Sequence, residues 1–225
     1  MKDSENVIAT PAILLVLTAV TGIVDAVSFL GTGRVFTANM TGNIVLLGFA
    51  LGGARGLSIS RSSVALGAFL AGAVAGGRMA GVSGVRWVSR AFLLEALFMG
   101  FAAAAAIGLG SESTSDSVQL YAVIALSALA MGLRNAAVRK LGVPDLTTTV
   151  LTLTLTGLAA DARFAGGGNS RWQRRLTAVA AMLAGAFAGA RMVIRSISLP
   201  LAICGVITAT CAVAHLQIDS KRRQP

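Results

Sequence analysis

The sequence predicts an all-α membrane protein: a polytopic transmembrane helix bundle of six to eight helices, with two duplicated halves related by a pseudo-twofold axis. The first observation is composition, because 55% of the residues are hydrophobic and only 12% are charged, against about 25% charged residues in soluble domains. The second is a regular succession of apolar segments, and the third is an internal repeat. The 225 residues leave room for about eight spans of roughly 20 residues, so we treat 1–225 as a single membrane domain.

Apolar segments follow one another along the whole chain with short connections between them. Two of them are short and rich in threonine and asparagine, so each is either a full span lining a polar interior or a re-entrant segment. These are 37–54 and 146–160. The others are the predicted full spans: 10–32, 63–82, 91–110, 118–138, 176–195 and 198–215.

The basic residues predict the orientation of the chain. With eight spans the two sides of the membrane receive ten and eight Lys and Arg residues, whereas six spans with two re-entrant segments give thirteen and five. The positive-inside rule therefore favours six spans, and both arrangements place the two termini in the cytoplasm. The net charge of +10 is then explained by anionic lipid headgroups, and we expect no nucleic-acid partner.

The internal repeat consists of three blocks in the same order. LAGAVAGGRM at 70–79 and LAGAFAGARM at 183–192 match at eight of ten positions with an offset of 113. FTANMTGN at 36–43 lies opposite LTTTVLTLT at 146–154. The third block, at an offset of 110, aligns Gly22, Asp25 and Ala26 with Gly132, Asn135 and Ala136. The predicted repeat units are 11–110 and 118–215, parallel if each contains an even number of spans and inverted if the number is odd.

Each copy of the first of these blocks carries a Gly-x-x-x-Gly motif, Gly72 to Gly76 and Gly185 to Gly189. Such motifs let helix backbones approach closely. We expect the two motif-bearing helices to cross each other near the pseudo-twofold axis.

Ionisable residues inside the spans are the first candidates for function. Asp25 lies within the first span, where a charge costs about 2.5–3.5 kcal/mol on insertion scales and needs a partner or a wet cavity. Arg134, in the fifth span, is adjacent to the repeat equivalent of Asp25, so we predict an Asp25–Arg134 pair across the pseudo-axis. This pair is either a structural ion pair or part of a substrate or proton site. Glu95 is a minor candidate that would pair with Arg90 or reach the interface.

Polar side chains in the two short segments are the second candidates. Asn39 and Asn43 share one helical face and Thr41 lies between them, while Thr148 and Thr152 share a face of the equivalent segment. These groups either line a pathway for a small polar solute or bond neighbouring helices. The predicted substrate-binding residues are Asp25, Asn39, Thr41, Asn43, Arg134, Asn135, Thr148 and Thr152.

The sequence contains no recognisable metal, cofactor or catalytic motif. Cys204 and Cys211 are about 10 Å apart along one predicted helix, too far for a disulfide, and His215 has no ligand-spaced companions. We therefore predict no cofactor and no metal. An enzyme would need two converging acids, for which only Asp25 and Glu95 lie deep enough, so we predict a protein that is not an enzyme.

Two stretches carry a family resemblance. GIVDAVSFLGTGRVFTANMTGNIVLLG in the first half and MGLRNAAVRKLGVPDLTTTVLTLTLTGLAAD in the second resemble the YoaK family of bacterial multi-pass membrane proteins, with FTANMTGN the most specific part. The family pattern leads us to expect a glutamine near Arg134, so the Asp25–Arg134 pair would be particular to this chain. The resemblance implies a bacterial inner-membrane protein of unassigned activity and supplies no substrate.

Two functional hypotheses remain open. The first is a small-solute permease or secondary transporter with a polar site between the two repeats. Its partners would be the lipid bilayer and an unknown small polar solute, and a homo-oligomer is possible. The second is a non-transporting membrane scaffold or accessory subunit, whose polar groups would all be paired within a dry interface.

Overall fold

The computed structural model describes residues 2–82, 86–110, 116–143, 151–168 and 171–221, with side chains from residue 11 onward except at 82, 219 and 221. The regular secondary structure of the described residues is helical, with a short 3₁₀ turn at Arg163–Ala165. The helices are α1 (Lys2–Gly31), α2 (Met40–Leu51), α3 (Ile59–Val82), α4 (Trp87–Ala105), α5 (Val118–Leu141), α6 (Leu151–Ala160), α7 (Trp172–Val193) and α8 (Ser198–Lys221).

Six of these helices are long and apolar enough to cross a membrane, namely α1, α3, α4, α5, α7 and α8. The predicted polytopic helical bundle is thus confirmed. Helix α2 has 12 residues and is about 18 Å long, roughly half of a hydrocarbon core of about 30 Å. Helix α6 is described over ten residues. By helix length, the described residues therefore agree with six spans and two shorter apolar helices.

Contacts between helix ends establish the direction in which each span runs. The end of α1 adjoins the start of α3, where Gly33 lies against the side chain of Arg61, so these helices are antiparallel. The starts of α3 and α5 are joined by Arg61–Asp116 at 2.9 Å and by Ser60–Tyr121 at 2.6 Å, so these two are parallel. It follows that α1 and α5 are antiparallel to each other. We call the end of the bundle where α1 begins and α8 finishes the terminus end, and the opposite end the far end.

Glycines bring two pairs of parallel helices into backbone contact. Gly189 of α7 faces Ile23 of α1, where a Cβ would lie 2.8 Å from the carbonyl oxygen, and Gly76 of α3 faces Leu133 of α5 at 2.9 Å. The Gly-x-x-x-Gly faces of α3 and α7 thus meet α5 and α1. The expectation that these two helices cross each other is wrong, because their small residues are used against the central helices.

Helices α4 and α8 form an antiparallel pair that completes the bundle. Ser89 bonds His215 at 2.9 Å near the terminus end, and the Ser198 hydroxyl donates to the Ala103 carbonyl at 2.7 Å near the far end. Phe92 and Met99 of α4 are fully buried. Large apolar side chains of the peripheral α7, such as Leu183 and Phe187, are exposed, as expected for a lipid-facing surface.

Candidate functional site

A buried ion pair lies at the centre of the bundle. Glu95 of α4 and Arg134 of α5 are both fully buried and joined through Oε1 and Nη2. The Arg134 guanidinium also donates to the Thr208 hydroxyl at 3.2 Å, the Thr21 hydroxyl at 3.1 Å and the Leu17 carbonyl at 2.9 Å. The Thr208 hydroxyl donates to Glu95 Oε1 at 3.3 Å. Four spans therefore converge on these two charges.

This central ion pair lies at half depth in the spans. Thr21 is the middle residue of the apolar part of α1, Pro11–Gly31, and Thr208 is the middle residue of Ser198–Ile218 in α8. Removing two charges from water costs several kcal/mol per ion, which their attraction offsets only when hydrogen bonds complete the arrangement. The four spans provide most of those hydrogen bonds.

Two atoms of the central ion pair have no hydrogen-bond partner among the residues that the structure describes. Glu95 Oε2 and Arg134 Nε are buried and unpartnered. A buried polar atom left in this way costs about 1–3 kcal/mol. One acceptor and one donor are therefore left unsatisfied at mid-depth among the described residues.

The predicted Asp25–Arg134 pair is wrong. Arg134 bonds Glu95, and Asp25 instead accepts hydrogen bonds from the backbone N–H groups of Ala38 and Asn39, both at 3.1 Å. Arg134 bonds Leu17 and Thr21 and therefore reaches the level of these residues, which are about 6–12 Å along α1 from Asp25. Because α1 and α5 are antiparallel, the sequence-equivalent residues Asp25 and Asn135 lie at different depths.

Asp25 holds the start of α2 inside the bundle. The chain turns back after α1 ends at Gly31, and its return segment reaches the level of Asp25, about 9 Å below that end. There Asp25 Oδ1 bonds the two N–H groups that precede α2. Asn39 caps α2 by accepting from the Gly42 N–H at 3.1 Å. Segment 37–54 therefore begins inside the bundle and has an exposed end at Leu51, which favours the re-entrant alternative over a full span.

The other predicted residues of the first half separate. The Asn43 amide is buried and donates to the Ser62 carbonyl at 3.0 Å, while its Oδ1 has no partner in the described part of the chain. Thr41 is exposed. Thr37, which sequence reasoning missed, is fully buried with an unpartnered hydroxyl.

The predicted residues of the second half lie nearer the terminus end. The half-buried Asn135 donates to the Met131 carbonyl at 2.8 Å, and Thr152 is exposed. Thr148 lies outside the described residues. Because α5 runs opposite to α1, Asn135 and Asp25 lie on opposite sides of the central ion pair rather than in one cavity with it.

The depth of Glu95 in the membrane was underestimated from the sequence because the start of α4 was predicted too late. The predicted fourth span began at residue 91, which placed Glu95 near the membrane surface. In the structure α4 begins at Trp87, so Glu95 is two turns inside the helix. Arg90 belongs to the first turn of α4 and not to the preceding loop. Counting Arg90 as part of the helix would have placed Glu95 deeper in the span.

The described residues contain no group of three His, Cys, Asp or Glu side chains arranged to hold a metal ion. Cys204 and Cys211 are buried free thiols on α8. The polar chemistry of the described bundle therefore consists of carboxylates, amides, hydroxyls, the His215 imidazole and two buried guanidinium groups, those of Arg61 and Arg134.

Comparisons with known proteins agree with the resemblance found in the sequence. The model of a family described as "Protein of unknown function (DUF1275)" matches residues 13–214. The chain is 38% identical over 152 residues to "UPF0700 transmembrane protein YoaK" of Bacillus subtilis (strain 168). This match covers 66% of the chain and 64% of the relative, which is less than two thirds of the relative's length. No solved structure matches the chain.

Proposed function

Because the chain belongs to the DUF1275 family, the family of the transmembrane protein YoaK, whose description assigns no activity, we propose a function from its geometry. The protein is a permease or secondary transporter for a small polar solute. The solute binds between the two halves of the bundle, beside the central ion pair. The observation that carries this proposal is the Glu95–Arg134 pair, buried at mid-depth with one acceptor and one donor unpartnered.

The two halves of this transporter would be an inverted repeat. Under the repeat offsets, α1 corresponds to α5 and α3 to α7, and the members of each pair are antiparallel. The close contacts also correspond: Gly22 faces Ala186 as Gly132 faces Ala73. Inverted repeats with interrupted or half helices are a common construction of secondary transporters, whose sites lie near mid-membrane between the repeats.

The central ion pair joins the two proposed repeats. Glu95 comes from the first repeat and Arg134 from the second, and Glu95 corresponds to Thr208 at the offset of 113. Rocking of one repeat against the other would separate these two charges and leave both unpaired. A bound solute or a proton would then be needed to compensate them. This makes the pair suited to coupling solute binding to a change of access.

Reconstitution into liposomes tests this proposal. We expect stopped-flow swelling or tracer uptake with at least one solute among glycerol, urea, glycine and serine, with and without a pH gradient. The variant Glu95→Gln/Arg134→Met should abolish this flux while remaining monodisperse in detergent. Asp161→Asn, which changes the exposed acid of the Arg175–Asp161 pair, is the control and should transport like the wild type. Absence of flux for every solute, or full flux in the double variant, would overturn the proposal.

The charge distribution supports a cytoplasmic location for both termini. With six spans, the sequence assigns thirteen basic residues to the side of the membrane that carries the termini and five to the opposite side, and the positive-inside rule then orients the chain in the bacterial cell membrane. Reporter fusions at the C-terminus and in loop 52–58 test this: only the former should be active as a cytoplasmic reporter.

One observation favours a scaffold or accessory subunit instead. Asp25, the most suggestive residue of the sequence, has a structural task because its carboxylate caps the return segment. If the liposomes show no flux while the protein co-purifies with a defined membrane partner, the scaffold function is favoured.

A further inference from the structure

A cleft of 880 Å³ opens at the far end of the bundle, away from the central ion pair. Its walls are the last turn of α1, the loop after it, and the loop that leads into α3. Arg34, Arg55 and Arg61 line it together with Ser58 at the start of α3. Three of the five basic residues at the far end thus face one cavity.

The cleft carries an excess of positive charge. Arg61 is buried and pairs with Asp116 at 2.9 Å. Among the described residues, neither Arg34 nor Arg55 has an acidic partner, and both are exposed. Two guanidinium groups are therefore left to attract an anion.

The two loops are shaped around the guanidinium groups. Gly33 and Gly56 both have positive φ angles, +86° and +77°. A Cβ at Gly56 would lie 3.0 Å from Arg34 Nη1, and one at Gly33 would meet the Arg61 guanidinium. Arg34 has a φ of +59° and is the non-glycine residue in the left-handed region among those described. Backbone of this kind persists where the surrounding structure holds it, often at ligand sites.

We propose that this cleft binds a phosphate-bearing anion, either a soluble phosphate ester or the headgroup of an anionic phospholipid. Guanidinium groups bind phosphate oxygens with two parallel hydrogen bonds. The first turn of α3, a 24-residue helix that begins beside Ser58, adds its positive dipole end. The volume is far larger than a phosphate ion and lies in the range of sites for small organic ligands, about 300–1,000 Å³.

The experiment uses the full-length protein in nanodiscs and is independent of transport. In phosphatidylcholine nanodiscs, glycerol phosphate is titrated by calorimetry, which tests a soluble ligand. In nanodiscs containing phosphatidylglycerol, the lipid retained after detergent transfer is measured by native mass spectrometry, which tests a lipid headgroup. Saturable binding of either probe supports the proposal, and the probe that binds identifies the source of the phosphate.

Variants separate the cleft from the general surface charge. Arg34→Gln/Arg55→Gln should weaken binding at least tenfold, and raising the salt concentration should weaken wild-type binding. Arg195→Gln, in the exposed turn after α7 and outside the cleft, should bind like the wild type. Arg61 is left unchanged because it pairs with Asp116. Binding of neither probe, or equal weakening by both sets of variants, would overturn the proposal.

Discussion

Glu95→Gln removes one charge of the central ion pair and leaves Arg134 buried without a counter-charge. Both side chains are fully buried, and loss of one partner from such a pair destabilises a protein by about 3–5 kcal/mol. The glutamine can still accept a hydrogen bond from Thr208, so the expected loss arises from the charge and not from the shape. Arg134→Met, which strands Glu95, should cost a similar amount.

The double variant Glu95→Gln/Arg134→Met should be more stable than either single variant. It removes both charges together, and replacement of a whole buried ion pair by neutral groups is often neutral or stabilising. We expect its free energy of unfolding to lie within about 2 kcal/mol of the wild-type value. Additive effects would instead predict a loss of about 6–10 kcal/mol.

Reversible unfolding in mixed micelles of dodecylmaltoside and dodecyl sulfate, followed by circular dichroism, measures these differences. Asp161→Asn is the matched control, since it changes an acid to its amide at an exposed side chain that pairs with the half-buried Arg175, a change for which about 0–1 kcal/mol is expected. The reasoning is refuted if Glu95→Gln behaves like this control, or if the double variant loses the sum of the two single losses.

Three further predictions concern the capping carboxylate, the glycine contacts and the thiols. Asp25→Ala should lower the free energy of unfolding by about 2–4 kcal/mol because two backbone N–H groups lose their acceptor, whereas Asp25→Asn should cost about 1 kcal/mol or less; equal losses would show that the charge matters instead. Gly185→Ala should destabilise the protein by about 1–3 kcal/mol, since its Cβ would meet the α1 backbone at Ala19. The control Gly77→Ala, with open space around it, should be neutral or stabilising in a thermal melt. Equal melting temperatures of the two variants would contradict the close contact. The fully buried Cys204 should resist maleimide labelling until the protein unfolds, and rapid labelling in native micelles would show that α8 is accessible there.

Helix positions were largely predictable, but the contacts of individual polar residues were not. Apolar length and composition are local properties, so the predicted fifth span, 118–138, corresponds closely to α5, Val118–Leu141. A shift of four residues at the start of α4 was enough to hide the depth of Glu95. The pairing of Asp25 failed for a different reason, because sequence equivalence says nothing about depth when helix directions are unknown.

The sequence by itself determined that this is a membrane protein of a recognisable family, because twenty apolar residues in succession have few stable environments other than a bilayer. It also identified the short polar segments and the glycines that permit close packing. Only the tertiary structure decided that α1 and α5 are antiparallel, and therefore which charges meet. Glu95 and Arg134 lie 39 residues apart, and their contact depends on how separate helices pack, a relation that no local pattern of residues encodes.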